Sequence, residues 1–325
     1  MSLHDISDGV RMTDAARDIM RRADCMVFDC DGVLVDVSGS YYATISETVL
    51  RVLDDVSCRP NGGGGGTAPI VTPDIIDGFK AAGRFNDEVD LSCAIIAGAA
   101  AAHNSGTPYA DAISGIMRNA APGGIERVLQ YAQGMSDISR VTGYMEHPSP
   151  GRDGRLCRMF DQIFFGPEMY RQVRGKQPYL QGPGMINRDR TIITDGVLRA
   201  LSSRFGGRMA MVTGRGLRPV QHTLRPLLKW FDMENSAFLE DEPRENAKPN
   251  PVRLDQCIAG MGGRRTIYVG DSVEDVIMSN DASADVLFCG IAERAGRREE
   301  ALLRAGAQAV LDSVLHIPKA LNLEA

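Results

Sequence analysis

The chain predicts an α/β fold: a doubly wound, Rossmann-like parallel sheet carrying a long, mainly α-helical insertion. Short apolar runs end in acidic residues or glycine at Cys25–Phe28 (CMVF), Met209–Thr213 (MAMVT), 266–269 (TIYV) and 285–289 (DVLFC). That is the pattern of buried parallel strands delivering loops at their carboxyl ends. Helix-compatible stretches, 218–231 and 273–280, lie between the later runs. Strands alternating with helices imply a doubly wound sheet whose sites form at the strand ends. The first run stands apart from its sisters by roughly 160 residues or more, far beyond what a crossover helix requires.

A chain of 325 residues exceeds one small core, at about 100 to 200 residues per domain, and predicts two domains. We place a Rossmann-like core at 1–36 and 196–325 and an inserted, mainly helical domain at 37–195, where polar and small residues near both junctions suit hinges. Within the insertion, 40–53 and 125–133 carry helical spacing, and β-type alternation is scarce. The most apolar stretch, 93–102 (CAIIAGAAAA), is about half a membrane span long and reads as a packed helix. The tract 61–67 contains Gly62 to Gly66, whose backbone entropy excludes a stable helix or strand; it reads as a flexible loop or as a mobile flap over a site.

Apolar residues at 43% and charged residues at 24% exclude a disordered or fibrous chain. A net charge of −6 without any uncompensated basic run argues against a nucleic-acid surface. The basic cluster at 294–298 is followed by Glu299 and Glu300 and reads as one solvated helix face. Cys25, Cys30, Cys58, Cys93, Cys157, Cys257 and Cys289 are scattered, with no CxxC pair. They read as reduced residues of a cytoplasmic protein and offer no thiolate metal site. The first two dozen residues mix acidic and basic side chains without an apolar run of signal-peptide length, so neither export nor membrane association is expected. No heptads or long apolar stripes announce an oligomer interface.

Four segments carry chemistry. In DCDGVLVD, a strand end presents Asp29 and Asp31, and Gly32 lets the chain turn beside them. Two converging carboxylates raise a pKa or demand a cation, although helix-capping aspartates at a polar strand end would look the same in isolation. In VTGR, Thr213 ends a strand and Gly214 frees the backbone, so a hydroxyl and an amide can face a phosphoryl oxygen. In KPNP, Pro249 and Pro251 hold Lys248 in a loop suited to anion binding. In VGDSVED, Asp271 and Asp275 are four apart, hence on one face if a helix begins there. They either cap that helix or hold a hard cation such as magnesium.

Taken in this order, the four segments resemble the motifs of the haloacid dehalogenase superfamily of phosphatases. The resemblance covers the sheet domain, and the insertion after the first motif matches the family's helical cap type. Inside the cap, Gly83, Arg84, Phe85, Asn86 and Asp87, together with Phe165, Gly166 and Pro167, look like a branch near phosphoglycolate phosphatases. The resemblance implies a phosphatase for a small phosphorylated metabolite, with Asp29 as nucleophile and Asp31 as general acid and base. It implies Mg2+ held by Asp29, the Asp31 carbonyl and Asp271 with Asp275 in support, and phosphate bound by Thr213, Gly214 and Lys248. Asp31 favours phosphate over halide chemistry, since dehalogenating members lack an aspartate there. Cys30 points away from its neighbours and reads as core. Arg215 and Arg84 are the candidate substrate contacts, against surface ion pairing as the commoner role of such arginines; no histidine is assigned a role. A phosphomutase shares all four motifs. A phosphorylation-dependent switch is a rival of another class, although receiver domains place acidic ligands before Thr and Lys. A silent binding protein is the third reading.

Overall fold

The structure, a computed structural model, describes residues 3–60, 69–82, 85, 87–149 and 152–323. It contains two compact units, Met1–Val37 with Asp189–Ala325, and Ser38–Arg188. The Gly62 to Gly66 tract lies outside the described residues, as do Gly83, Arg84 and Asn86.

The first unit is built on strands β1 (His4–Ser7), β2 (Val10–Met12), β3 (Cys25–Phe28), β4 (Val35–Asp36), β5 (Arg190–Thr191), β6 (Met209–Thr213), β7 (Ala237–Phe238), β8 (Arg265–Gly270), β9 (Asp285–Ile291) and β10 (Ala309–Leu311). Eight form one sheet in the order β1-β2-β10-β9-β8-β3-β6-β7. From β10 to β7 every pairing is parallel, while β1, β2 and β10 pair antiparallel at one edge. β3 sits between β8 and β6 because its side chains are apolar on both faces. Met26 and Phe28 enter one core, and Cys25 and Val27 enter the other, all fully buried. Burying a side chain such as Phe28 contributes about 2–3 kcal/mol. Cys30, just past the strand, is core as expected.

Three features depart from the sequence reading. Residues 218–231 do not form one helix: an α-helix covers Leu217–Leu224 and a 3-10 segment follows at Arg225–Trp230. Pro226 at the junction lacks the N–H that would continue the ladder. The β1/β2 hairpin was not anticipated, because its outer strand is polar and its inner strand hides a charge. Arg11 is buried and its guanidinium meets Glu299 at 2.6 Å and Asp312 at 2.7 Å. Glu299 therefore belongs to an interior ion pair, not to a solvated helix face. Finally, residues 189–195 lie in the first unit, not in the insertion. β5 pairs antiparallel with β4, Val35 opposite Thr191 and Asp36 opposite Arg190, so the chain rejoins the unit earlier than composition indicated.

The second unit is helical over its described residues. Its central helix, Glu88–Ser105, starts where the Asp87 side chain accepts the Val89 N–H at 2.9 Å and stops at Gly106, in the left-handed region with φ 71°. Every residue from Val89 to Ala102 is buried, including the apolar stretch 93–102. A helix apolar all round belongs inside a bundle. The stretch Arg155–Arg174 is two helices meeting at Gly166 (φ 74°), ahead of Pro167. A Cβ on Gly166 would stand 2.6 Å from the Gly184 backbone nitrogen. Among the described residues no helix is long and apolar enough to cross a membrane.

Candidate active site

Parallel pairing brings the motif-bearing strand ends side by side: Phe28 is in register with Met211 on β6 and with Val269 on β8. Asp29 follows directly, its N–H donated to the Val269 carbonyl at 2.8 Å. The chain then turns at Gly32, whose N–H reaches Val35 O at 2.8 Å. Gly32 holds φ +74°, and a Cβ there would lie 2.0 Å from Asp271 Oδ2. Only glycine leaves room for the first motif and the fourth to approach this closely.

Lys248 links two of the other expected residues. Its ammonium stands 2.9 Å from Asp29 Oδ1 and 2.7 Å from Asp275 Oδ1, with the side chains nearly or fully buried. Burial alone would lower the lysine's pKa, but the carboxylates of Asp275 and Asp29 override it and hold it well above its usual value. Asp29 moves the other way. Burial raises it, Lys248 opposes, and Asp275 and Asp31 add repulsion, leaving it at about 6.

Asp275 is completely buried. Its Oδ2 accepts the Asp271 N–H (3.2 Å), the Ser272 N–H (3.1 Å) and the Ser272 hydroxyl (2.8 Å), while Oδ1 accepts the Tyr268 hydroxyl at 3.0 Å. Ser272 Oγ in turn accepts the Asp275 N–H, a reciprocal cap on helix Val273–Asp281. One carboxylate thus both caps the helix and meets Lys248. Tyr268 carried no signal as a site residue, because an aromatic in an apolar strand reads as core.

Carboxylate oxygens of Asp29, Asp271 and Asp275 lie within 4.8 Å of one another. Such a set suits a hard divalent cation, which prefers oxygen donors and offsets their mutual repulsion. Asp271 is the most accessible of the three. Arg298 reaches its Oδ2 at 2.9 Å from a half-exposed position in the basic cluster expected to be merely solvated. Asp31 takes a different partner: its Oδ1 faces Arg215 Nε at 3.0 Å.

Thr213 is fully buried at the end of β6, and its Oγ1 accepts the Arg215 N–H at 3.2 Å; Gly214 beside it is exposed. Arg215 is not placed as a substrate contact. Its side chain is 1% exposed and is engaged by Asp31, by Asp189 at 2.7 Å and by Thr223 at 3.4 Å. Asp189 was missed altogether, since nothing local distinguishes an aspartate in NRDR from surface charge. Arg84 lies outside the described residues.

A family model of haloacid dehalogenase-like hydrolases matches residues 23–283, which spans all four motifs and the insertion. The chain belongs to that family. This hydrolase is similar in structure to phosphatase Tt82 from Thermococcus thioreducens, at 21% identity over 86% of this chain and 98% of that one, with a TM-score of 0.54. It is similar also to a Northeast Structural Genomics Consortium target, at 16% identity over 92% of this chain and 98% of that one, with a TM-score of 0.59. At such identities the likeness shows a shared fold. Among curated proteins, the hydrolase is 37% identical over 73 residues to the transcriptional regulator GfcR of Haloferax volcanii. That match covers 22% of this chain and 34% of the regulator, so the chain spans about a third of the curated relative's length.

Proposed function

We propose that the hydrolase is a magnesium-dependent phosphatase acting on a small phosphorylated metabolite, of phosphoglycolate or sugar-phosphate type, through an aspartyl-phosphate on Asp29. The observation that carries this is Lys248 bridging Asp29 and Asp275 beside the accessible carboxylate of Asp271. An ammonium next to a buried carboxylate at a strand end prepares a nucleophile and a seat for an anion together.

An Asp29 carboxylate oxygen forms the bond to phosphorus as the bond to the ester oxygen breaks, and Asp31 gives that leaving oxygen its proton. Asp31, now a base, takes a proton from the water that attacks phosphorus, releasing inorganic phosphate and regenerating Asp29. Thr213, the backbone at Gly214 and Lys248 hold the equatorial oxygens, where negative charge spreads in the transition state. Asp29, Asp271 and the Asp31 carbonyl would hold Mg2+, which supplies positive charge to the phosphoryl oxygens. Asp275 supports them by fixing Asp271 and Lys248. Substrate choice falls to the insertion, and buried, unpaired cysteines fit a cytoplasmic setting.

The test is release of inorganic phosphate from an aryl phosphate with magnesium and with chelator, for wild type and Asp29→Asn. Turnover should require magnesium and vanish in the variant while its melting profile persists; a variant that still turns over sinks the nucleophile assignment. A phosphomutase would isomerise a sugar phosphate without net phosphate release. A switch or a silent binding protein would show no turnover.

A further inference from the structure

We infer that Asp189 and Arg215 form a clamp that positions Asp31 for proton transfer, an inference that rests on the phosphatase reading above. Arg215 and Asp189 are both 1% exposed in their side chains and meet at 2.7 Å through Nη2 and Oδ2. Thr223 braces the same Asp189 oxygen, donating its hydroxyl at 3.2 Å. As a pair, Arg215 and Asp189 are already electrically neutral, so a structural ion pair would be complete without a third member. The guanidinium nevertheless brings Nε to 3.0 Å from Asp31 Oδ1, a close charge contact outside hydrogen-bond geometry. A rigid, planar guanidinium anchored at its Nη groups holds its positive charge at a fixed place beside that oxygen.

The anchor is itself fixed to the first motif. Asp189 immediately precedes β5, and β5 pairs with β4, only a few residues after Asp31. Ile192 N–H donates to Leu34 O at 2.8 Å, and Asp31 bridges to Val35. The first-motif turn, the β4/β5 ladder, Asp189 and Arg215 therefore form one closed circuit around the Asp31 carboxylate. Because a guanidinium is always charged and has no acceptor, it holds Oδ1 by charge, which leaves Oδ2 as the oxygen for proton transfer. The clamp fixes which oxygen faces the ester. Asp189 and Arg215 are positioning residues, acting through Asp31.

Misplacing a general acid harms poor leaving groups more than good ones, whereas a general loss of fold harms both alike. The probes are p-nitrophenyl phosphate, whose leaving group needs little protonation, and phenyl phosphate, whose leaving group needs more. Arg215→Lys and Asp189→Asn should lower kcat/KM for phenyl phosphate at least about tenfold more than for p-nitrophenyl phosphate, within the range that general acid catalysis supplies. Since kcat/KM reports steps up to the first irreversible one, later hydrolysis of the aspartyl-phosphate does not blur the comparison. Equal losses on both probes in a folded variant would overturn the clamp. If Arg215→Lys fails to fold, Asp189→Asn keeps the arginine and the shape of the site and carries the test. Wild type that releases no phosphate from either probe refutes the phosphatase reading itself, a result distinct from equal losses.

Discussion

Gly32 is where one missing atom decides the site. Its φ of +74° and the 2.0 Å approach of a hypothetical Cβ to Asp271 Oδ2 mean that Gly32→Ala must displace the carboxylate or the turn. The backbone strain costs about 1–2 kcal/mol, which a domain of this size survives. We expect a folded variant with kcat/KM down at least about 100-fold on p-nitrophenyl phosphate and weakened magnesium binding by calorimetry; wild-type affinity would show that the approach is not needed. His147 offers a test by pH in the helical unit. Burial alone would lower it, but its contact with Asp90 at 2.6 Å and its neighbour Cys157 hold it at about 9 against an ordinary 6.5. A raised histidine stabilises the fold fully below pH 6.5 and loses that contribution as pH climbs through 9. Asp90→Asn should therefore lower the melting temperature most at pH 6.5 and progressively less toward pH 9 and above. A penalty independent of pH would refute the charged pair. At this scale Asp29, Asp31, Thr213, Lys248, Asp271 and Asp275 were legible because each sits at a fixed offset from a glycine or proline that betrays its backbone. Tyr268 and Asp189 have no such marker, and distant contacts alone give them their positions.

Elements were legible where periodicity ran long enough to exceed its exceptions. β3, β6, β8 and β9 are continuous apolar runs, whereas β7 and β10 span two and three residues, too few for any period to register. β2 was invisible for another reason: Arg11, at its centre, looks like a solvent residue but closes an interior network with Glu299 and Asp312. Arg11→Met should destabilise the protein by about 3–5 kcal/mol in urea unfolding, because Glu299 is left charged and buried. The double variant with Glu299→Leu should recover much of that loss; no recovery would show that the arginine acts through something other than its charge. At helix Val273–Asp281, Ser272→Ala should cost about 1 kcal/mol as a lost cap. It should also lower activity, because the same hydroxyl steadies Asp275 beneath Lys248. Unchanged turnover would confine Ser272 to capping.

At the scale of the whole molecule, the insertion leaves and rejoins the first unit through the adjacent strands β4 and β5, antiparallel neighbours one ladder step apart. The two units hold separate cores, one within Ser38–Arg188 and two on the faces of the sheet. We expect that replacing Ser38–Arg188 by a short Gly/Ser linker leaves a cooperatively melting sheet unit that still contains Asp29, Lys248, Asp189 and Arg215. Loss of a cooperative transition on calorimetry would show that the sheet unit depends on the insertion to fold. The sequence by itself determined the class of fold, the presence of a helical insertion and the four segments whose strand ends build the candidate site, because strand periodicity and glycine or proline turns are local signals. Only the tertiary structure decided where the insertion ends, that Arg215 faces Asp31 and Asp189, and that Asp275 serves helix and site together. Those facts arise from contacts between residues far apart in the chain, brought together by the register of parallel strands, and no local pattern encodes a register.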